Sequence, residues 1–388
     1  MLKVAVSRSK RILAGHPWIF ANELAQSPKG FEPGALVEVF DRRDSYLGTG
    51  YINPASLIAV RLLTRRRQAI DKNFFVARIA AALARRQRWF GGRCCYRAVF
   101  SEADGLPGLI VDRYSDCLVL QLSTAGMEAQ RQAIVEACDE LLDPRAIVLR
   151  NDSQARTLEG LPLYKEMAKG VAEPLPEVEE DGVRFAVDLY RGQKTGLFLD
   201  QRDNRIALKQ LVSGGSALDL FCYTGAWALH LAAAGAQVTG VDASAWAIQQ
   251  AQDNALRNRL DQRTSFVVQD VFDHLRQHSG EYERRFDTAV VDPPAFVKSK
   301  HKLREGVRAY RDLNAAVFRV VKPGGIVASS SCSHHVDRES FVELLRLAAR
   351  DAQREVHLLA LRSQAFDHPI ALNVPETEYL KCAFLEVS

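Results

Sequence analysis

The residues able to do chemistry fall in one stretch, Gly192 to His335. Acids recur along it: Asp219 before Leu220-Phe221, Asp242 before Ala243-Ser244, Asp270 before Val271, and Asp292 in Asp292-Pro293-Pro294-Ala295-Phe296. A thiol follows in Ser331-Cys332-Ser333. After Tyr223-Thr224 a single glycine, Gly225, precedes a helical run, which is not the Gly-x-Gly-x-x-Gly pyrophosphate fingerprint. One close-approach glycine beside an acid suits a ligand with an adenosine part and no phosphates to cradle. An acid about 20 residues further on, here Asp242, can accept hydrogen bonds from both ribose hydroxyls. Asp270 can meet the adenine amino group. Each acid taken singly is equally a helix cap. Pro293 and Pro294 fix the backbone and remove N–H donors. Their loop can therefore present Asp292 and the Pro294 carbonyl to a planar base, with Phe296 for stacking; a plain Asp-Pro-Pro turn is the alternative.

These residues need a scaffold, and from about residue 205 the chain alternates strands and helices. The patterning predicts strands over 217–221, 237–241, 265–268, 288–291, 326–330, 356–361 and 380–387, and helices over 226–234, 245–259 and 313–321. Near-continuous apolar strands separated by helices imply a parallel sheet covered on both faces. Ligands in such a sheet bind beyond the carboxyl ends of the strands. That places Asp219, Asp242, Asp270, Asp292 and Cys332 at the ends of five successive strands.

Upstream, residues 1–70 read as a small β domain, with runs at 2–6, 36–40, 46–52 and 58–63. Its segment Lys10-Arg11-Ile12-Leu13-Ala14-Gly15-His16-Pro17-Trp18-Ile19-Phe20 sets cations beside aromatic rings. That mixture suits unpaired RNA; the alternative puts Trp18 and Phe20 in the core. A helix is expected over 71–90, with Arg85, Arg86 and Arg88 near its end. Residues 96–185 read as an α+β module with a helix over 128–141. The acidic, proline-containing run 173–182 serves as a linker or hairpin before a strand over 183–190. The expected domains are thus 1–70, 71–185 and 186–388.

At 388 residues the chain is long enough for two or three domains, and 47% hydrophobic with 25% charged residues is ordinary globular composition. The net charge of +4 is too small to imply a polyanion partner by itself. Seven cysteines without a disulfide spacing, and a start without an apolar leader, point to a reducing cytoplasm. No apolar run approaches a membrane span. Cys94-Cys95 has no second Cys/His pair at zinc spacing, so no metal is expected.

Together the strand-end acids resemble those of class I S-adenosylmethionine (SAM)-dependent methyltransferases, which have a Rossmann-like, doubly wound α/β fold. In that frame Cys332 faces the same crevice as Asp292. Carbon 5 of cytosine is a poor nucleophile, and a thiolate adding to carbon 6 makes an enamine whose carbon 5 can attack a methyl group. Gln193-Lys194-Thr195-Gly196, Asp200-Gln201-Arg202, Asp292-Pro293-Pro294-Ala295-Phe296 and Ser331-Cys332-Ser333 resemble the bacterial large-subunit rRNA cytosine-C5 methyltransferase I family. The likeness covers nearly the whole chain, and Gly15-His16-Pro17-Trp18-Ile19-Phe20 is similar to that family's PUA segment.

The resemblance implies an N-terminal β-rich PUA domain that binds RNA, a small central α+β domain and a C-terminal SAM domain. It implies SAM contacts from Phe198, Asp200, Gln201, Arg202, Asp219, Phe221, Tyr223, Thr224 and Gly225. Asp242, Ala243, Ser244, Asp270, Val271 and Asp292 complete that set. Cys332 is the implied nucleophile, with Asp292 beside it. Pro293, Pro294, Phe296, Lys298, Lys300 and Lys302, with Lys10, Arg11 and Trp18, are the implied RNA contacts. The partner is 23S rRNA or a large-subunit precursor, without metal or membrane; a homodimer is left open. Related RNA cytosine enzymes carry a second cysteine in the loop after the fourth strand; this loop has none, which leaves thiolate release and the base for carbon 5 unassigned. The basic run Lys298, Lys300, His301, Lys302, Arg304, Arg308 and Arg311 is read either as phosphate contacts or as a solvated helix start. Rival functions are methylation of a base nitrogen, as on guanine, and a non-catalytic RNA-binding assembly factor.

Overall fold

The computed structural model describes residues 2–297 and 299–388, and its backbone contacts group into two compact units. The first comprises Met1–Val178, Ala186–Leu199 and Asp367–Thr377, and the second Glu179–Phe185, Asp200–Phe366 and Glu378–Ser388. Among the described residues no helix is long and apolar enough to cross a membrane.

The first unit holds two five-stranded sheets. One runs Leu2–Ala5, Leu36–Phe40, Tyr46–Ile52, Val60–Thr64, Trp18–Ile19, around a core that includes Val4, Ile12, Ile19, Val37, Val39 and Ile52. The other runs Tyr164–Gly170, Ala146–Asn151, Cys117–Leu122, Leu109–Tyr114, Cys95–Phe100. Helix Lys72–Phe90 covers it, started by Asp71 Oδ1, which accepts from the Phe74 amide at 3.0 Å. The single helix expected over 128–141 is two, Ala125–Ala129 and Arg131–Leu142. Within the earlier piece Gly126 packs on the Tyr51 ring, where a Cβ would come within 1.9 Å of ring carbon.

The acidic run before residue 182 forms a hairpin, Glu177–Glu180 with Val183–Ala186. Asp181 and Gly182 turn it with φ of +50° and +82°, the backbone twist that closes a two-residue hairpin. The strand expected to reach residue 190 stops at Ala186. Beyond it Asp188 Oδ1 accepts from the Tyr190 and Arg191 amides at 3.0 and 2.8 Å, an aspartate turn that ends the extended run.

The second unit is a seven-stranded sheet in the order Thr264–Val268, Gln237–Asp242, Ser216–Leu220, Phe286–Val291, Val321–Ser331, Lys381–Val387, Val356–Arg362. Neighbours among the first five are parallel, and strand order reverses beside Ser216–Leu220. The expectation of a parallel sheet needs one correction: Lys381–Val387 runs antiparallel to both its neighbours. Residues alternate between two cores, so Ala217, Val290 and Ala328 pack with Trp227 and Leu231, and Leu218, Val291 and Val327 with Phe318 and Phe341. The helix expected over 313–321 begins ten residues earlier, at Leu303, and absorbs most of the basic run.

Candidate functional site

After Leu220 the chain turns through Phe221, Tyr223 and Gly225 with φ of +63°, +49° and +81°. Left-handed backbone at two non-glycine residues costs on the order of 1–3 kcal/mol each, so something must hold it. Asp242 does. Its Oδ2 accepts from the Tyr223 amide at 3.0 Å and its Oδ1 from the Ser244 amide at 2.8 Å. The Cys222 amide donates to the Val241 carbonyl at 3.1 Å, stitching the turn to the end of the second strand. At Gly225 a Cβ would sit 3.1 Å from Ala251 Cβ and 3.3 Å from the Phe266 ring. Gly225→Ala is therefore expected to destabilise the ligand-free protein by about 1–2 kcal/mol, measured by urea denaturation.

Asp219 is fully buried. Its Oδ2 accepts from the Ala228 amide at 2.9 Å, while Oδ1 has no hydrogen-bond partner. Burial pushes its carboxyl well above the usual range, and the charges of Asp292 and Asp242 push the same way. Asp292 is held by Gln201 Nε2 and Trp227 Nε1, each 3.0 Å away and donating to a different carboxylate oxygen. Gln201 Nε2 also donates to Ser330 Oγ at 2.9 Å, and Gln201 Oε1 accepts from Asn204 Nδ2 at 2.7 Å. Asp200 Oδ2 accepts from the Tyr379 hydroxyl at 2.6 Å. Arg202, buried, donates from Nε to Asp203 at 3.1 Å. The structure thus brings Gln201, Asp219, Asp242 and Asp292 into one connected acidic site.

Two of the remaining expected residues of this half cap helices. Asp270 Oδ1 caps helix Val271–Gln277, accepting from Phe272 and Asp273 amides at 2.9 and 3.1 Å. Ser244 caps helix Ala245–Asn258 through the Ala247 amide, Ala243 is exposed, and Thr224 and Val271 are buried. Phe198 belongs to the first unit, where the Lys194 ammonium lies 4.5 Å from its ring centre.

Cys332 is half-buried, just past the fifth strand, with Sγ 4.0 Å from the carbonyl oxygen of Pro293. Ser333 Oγ, next along the chain, accepts from the Val297 amide at 3.2 Å and pairs with the Tyr310 hydroxyl at 2.9 Å. The proline loop and the thiol segment are therefore tied together. Pro293 is buried and Pro294 exposed; half-exposed Phe296 is oriented by the rings of Tyr310, Phe272 and Phe221 at 4.7, 6.0 and 6.3 Å. Trp227, Ser330, Asn204 and Tyr310 escaped the sequence reading, because nothing in their local pattern distinguishes them from core. So did Lys381, a lysine followed by four apolar residues, Cys382 to Leu385, which was the available signal.

Among the basic residues, Lys298 lies outside the described residues. Lys300–Lys302 forms one short turn, and Lys302 and Arg308 are exposed, 3.9 Å from Glu305 and 3.5 Å from Asp312. Arg311 is a correction: its guanidinium forks onto Asp351 at 2.5 and 2.7 Å, clamping two helices rather than awaiting phosphate. Arg86 is likewise structural, buried on Asp104 at 2.7 Å. In the first unit Lys10 is exposed. Arg11 donates to the Trp18 carbonyl at 3.0 Å and stacks 4.5 Å from the Phe20 ring centre. Trp18 Nε1 donates to Glu102 at 2.9 Å. A cleft of about 860 Å³ opens nearby, wholly within this unit, lined by Arg65, Arg66, Gln68, Asn73 and Arg78 among others. Among the described residues no group of three metal-ligating side chains occurs.

The sheet order, its single antiparallel strand and the acids at the strand ends define a class I SAM-dependent methyltransferase. A family profile described as S-adenosylmethionine-dependent methyltransferase matches residues 149–364, and one described as PUA-like domain matches residues 2–65. The chain is 39% identical to ribosomal RNA large subunit methyltransferase I of Shewanella denitrificans, over 98% of this chain and 97% of that one. It is 38% identical to the protein of the same name from Klebsiella pneumoniae strain 342, over 98% and 96%. The chain belongs to the ribosomal RNA large subunit methyltransferase I family. Its fold matches SMU.776, a protein described as a methyltransferase and solved with S-adenosylhomocysteine (TM-score 0.86, 21% identity, all of both chains). It also matches a Streptococcus mutans protein described as a SAM-dependent methyltransferase (TM-score 0.85, 21% identity, all of both chains).

Proposed function

We propose that this protein methylates carbon 5 of a cytosine in 23S rRNA or its large-subunit precursor, with Cys332 as the covalent nucleophile. The observation that carries the reading is the thiol of Cys332 lying 4.0 Å from the backbone of the Asp292-Pro293-Pro294 loop. SAM is a cation at its sulfonium and its ammonium, and it suits a site with three clustered carboxylates, Asp219, Asp242 and Asp292. The orphaned Oδ1 of Asp219 is an acceptor awaiting such a donor. Asp242 would take the ribose hydroxyls, and the second oxygen of Asp270 the adenine amino group. When bound, SAM supplies an electrophilic methyl group.

The protein's own residues do the rest. Pro293, Pro294 and Phe296 hold the base flat, flipped from its stack at a cost of a few kcal/mol. The Cys332 thiolate adds to carbon 6, breaking the carbon 5–carbon 6 π bond and making carbon 5 nucleophilic. Carbon 5 takes the methyl group. A base then removes the carbon 5 proton, the double bond re-forms, and the thiolate leaves. Incubating the protein with methyl-labelled SAM and large-subunit rRNA, followed by nucleoside analysis, tests this. Label in 5-methylcytidine supports it; label in a methylated guanosine, or none, overturns it.

Residues 1–70 are proposed as the RNA-binding PUA domain, 71–185 as the central domain and 186–388 as the SAM domain. Lys10, Arg11 and Trp18, and the cleft beside Arg65, Arg66 and Arg78, are the proposed RNA surface there, and Lys298, Lys300 and Lys302 are proposed as further RNA contacts. Replacing exposed Arg66 with Ala should weaken RNA binding on every sequence alike and lower the salt slope of the affinity by about 1, read by fluorescence anisotropy at several salt concentrations. The reaction is proposed to run in the cytoplasm without a metal, so a chelator should leave turnover unchanged. Sedimentation distinguishes monomer from homodimer.

A further inference from the structure

Lys381 opens the antiparallel strand Lys381–Val387, directly opposite Ser331 in the register. It is 3% exposed, an unusual place for an ammonium. Its Nζ donates to the carbonyls of Ser333 at 2.8 Å and Tyr379 at 2.9 Å, which leaves one N–H uncommitted. The chain thus places Lys381 against Ser331 on one side of Cys332 and bonds it to Ser333 on the other. The charged and titratable groups facing it are Cys332, Glu378, Asp337 and Arg338. Glu378 is taken by Arg338 at 2.7 Å. Asp337 caps the helix Arg338–Ala352, accepting from the Ser340 amide at 2.8 Å. Cys332 is the group that the two flanking contacts of Lys381, at Ser331 and Ser333, bracket, and a buried cation is costly without an anion beside it.

We propose that Lys381 is the counter-ion of Cys332: a positioning residue that keeps the thiol ionised in the resting enzyme and steadies the thiolate when it leaves carbon 6. Below about pH 8 the lysine is already an ammonium, so the thiol gives its proton to solvent and the thiolate left behind faces that ammonium. It fills the place left by the missing second cysteine, without assigning the base for carbon 5. The inference rests on Cys332 being the nucleophile.

Burial lowers the ammonium of Lys381 to about 8. The support it lends the thiolate is therefore present below about pH 8 and lost above it. The test is the rate at which iodoacetamide alkylates Cys332, followed on its peptide by mass spectrometry from pH 6 to 10, for the wild type, Lys381→Met and Lys381→Arg. Expected at pH 7 is a fall of about tenfold or more in Lys381→Met, the thiolate fraction lost for one unit of pKa. The curves should converge near pH 10, and Lys381→Arg, which keeps a charge at every pH, should restore most of the low-pH rate. Superimposable wild-type and Lys381→Met curves would overturn the inference. Should Lys381→Met not fold, Lys381→Arg decides alone: its profile keeps the low-pH reactivity without the wild type's inflection near 8, or the inference fails. Methyl transfer by Cys332→Ala separates the two readings. If that variant remains active, the nucleophile assignment falls; if it is dead while alkylation is indifferent to Lys381, only the counter-ion falls.

Discussion

Replacing Cys332 with Ala should abolish 5-methylcytidine formation, by a factor on the order of 10⁴ or more, the scale of removing the nucleophile from a covalent catalyst. Affinity for S-adenosylhomocysteine should stay within a factor of about 2, because the thiol is proposed to act on the base and its contact with the proline loop is to the backbone of Pro293. Cys332 is half-buried and small, so the fold should survive the loss of one sulfur atom. A base-nitrogen methyltransferase would behave differently, since a nitrogen lone pair attacks a methyl group without covalent help. Turnover measured with labelled SAM, beside calorimetric binding of S-adenosylhomocysteine, checks both halves. Retained turnover in Cys332→Ala would mean that the carbon-methylation mechanism is wrong.

The second large effect is expected at Asp242. Its carboxylate holds the Tyr223 and Ser244 amides and, on the proposed reading, the ribose as well. Asp242→Ala removes two charge-assisted hydrogen bonds to the ligand, and it frees a turn that carries left-handed backbone at Phe221 and Tyr223. The dissociation constant for S-adenosylhomocysteine should rise about 100-fold, corresponding to about 2.7 kcal/mol. Asp242→Asn retains an acceptor and should fall between the two. A change below about threefold in Asp242→Ala would remove the ribose role and leave Asp242 as a brace for the turn.

The strand-end placement of the acids was legible because it is local. Each acid follows its own strand, and the switch between strand and helix patterning marks where strands end. The seven strands therefore lie within a few residues of their expected positions. What escaped depends on register and packing. Lys381 and Cys332 are far apart in sequence and become neighbours only because the last strand enters antiparallel between two others. Composition carries no sign of that. Gln201, Trp227 and Ser330 converge on or beside Asp292 from three separate elements. Arg311 shows the opposite error: a cation in a basic run looked available until a distant helix supplied Asp351. At Asp270 the structure bears out the plainer reading, with one carboxylate oxygen capping the helix that follows.

Which atom receives the methyl group separates carbon methylation from nitrogen methylation. Large-subunit rRNA from cells with and without the gene, compared by bisulfite sequencing and by mass spectrometry of its nucleosides, answers that directly. The predicted result is one 5-methylcytosine present with the gene, absent without it, and not restored by the Cys332→Ala variant. Loss of a methyl group from a purine, with every 5-methylcytosine intact, would contradict it.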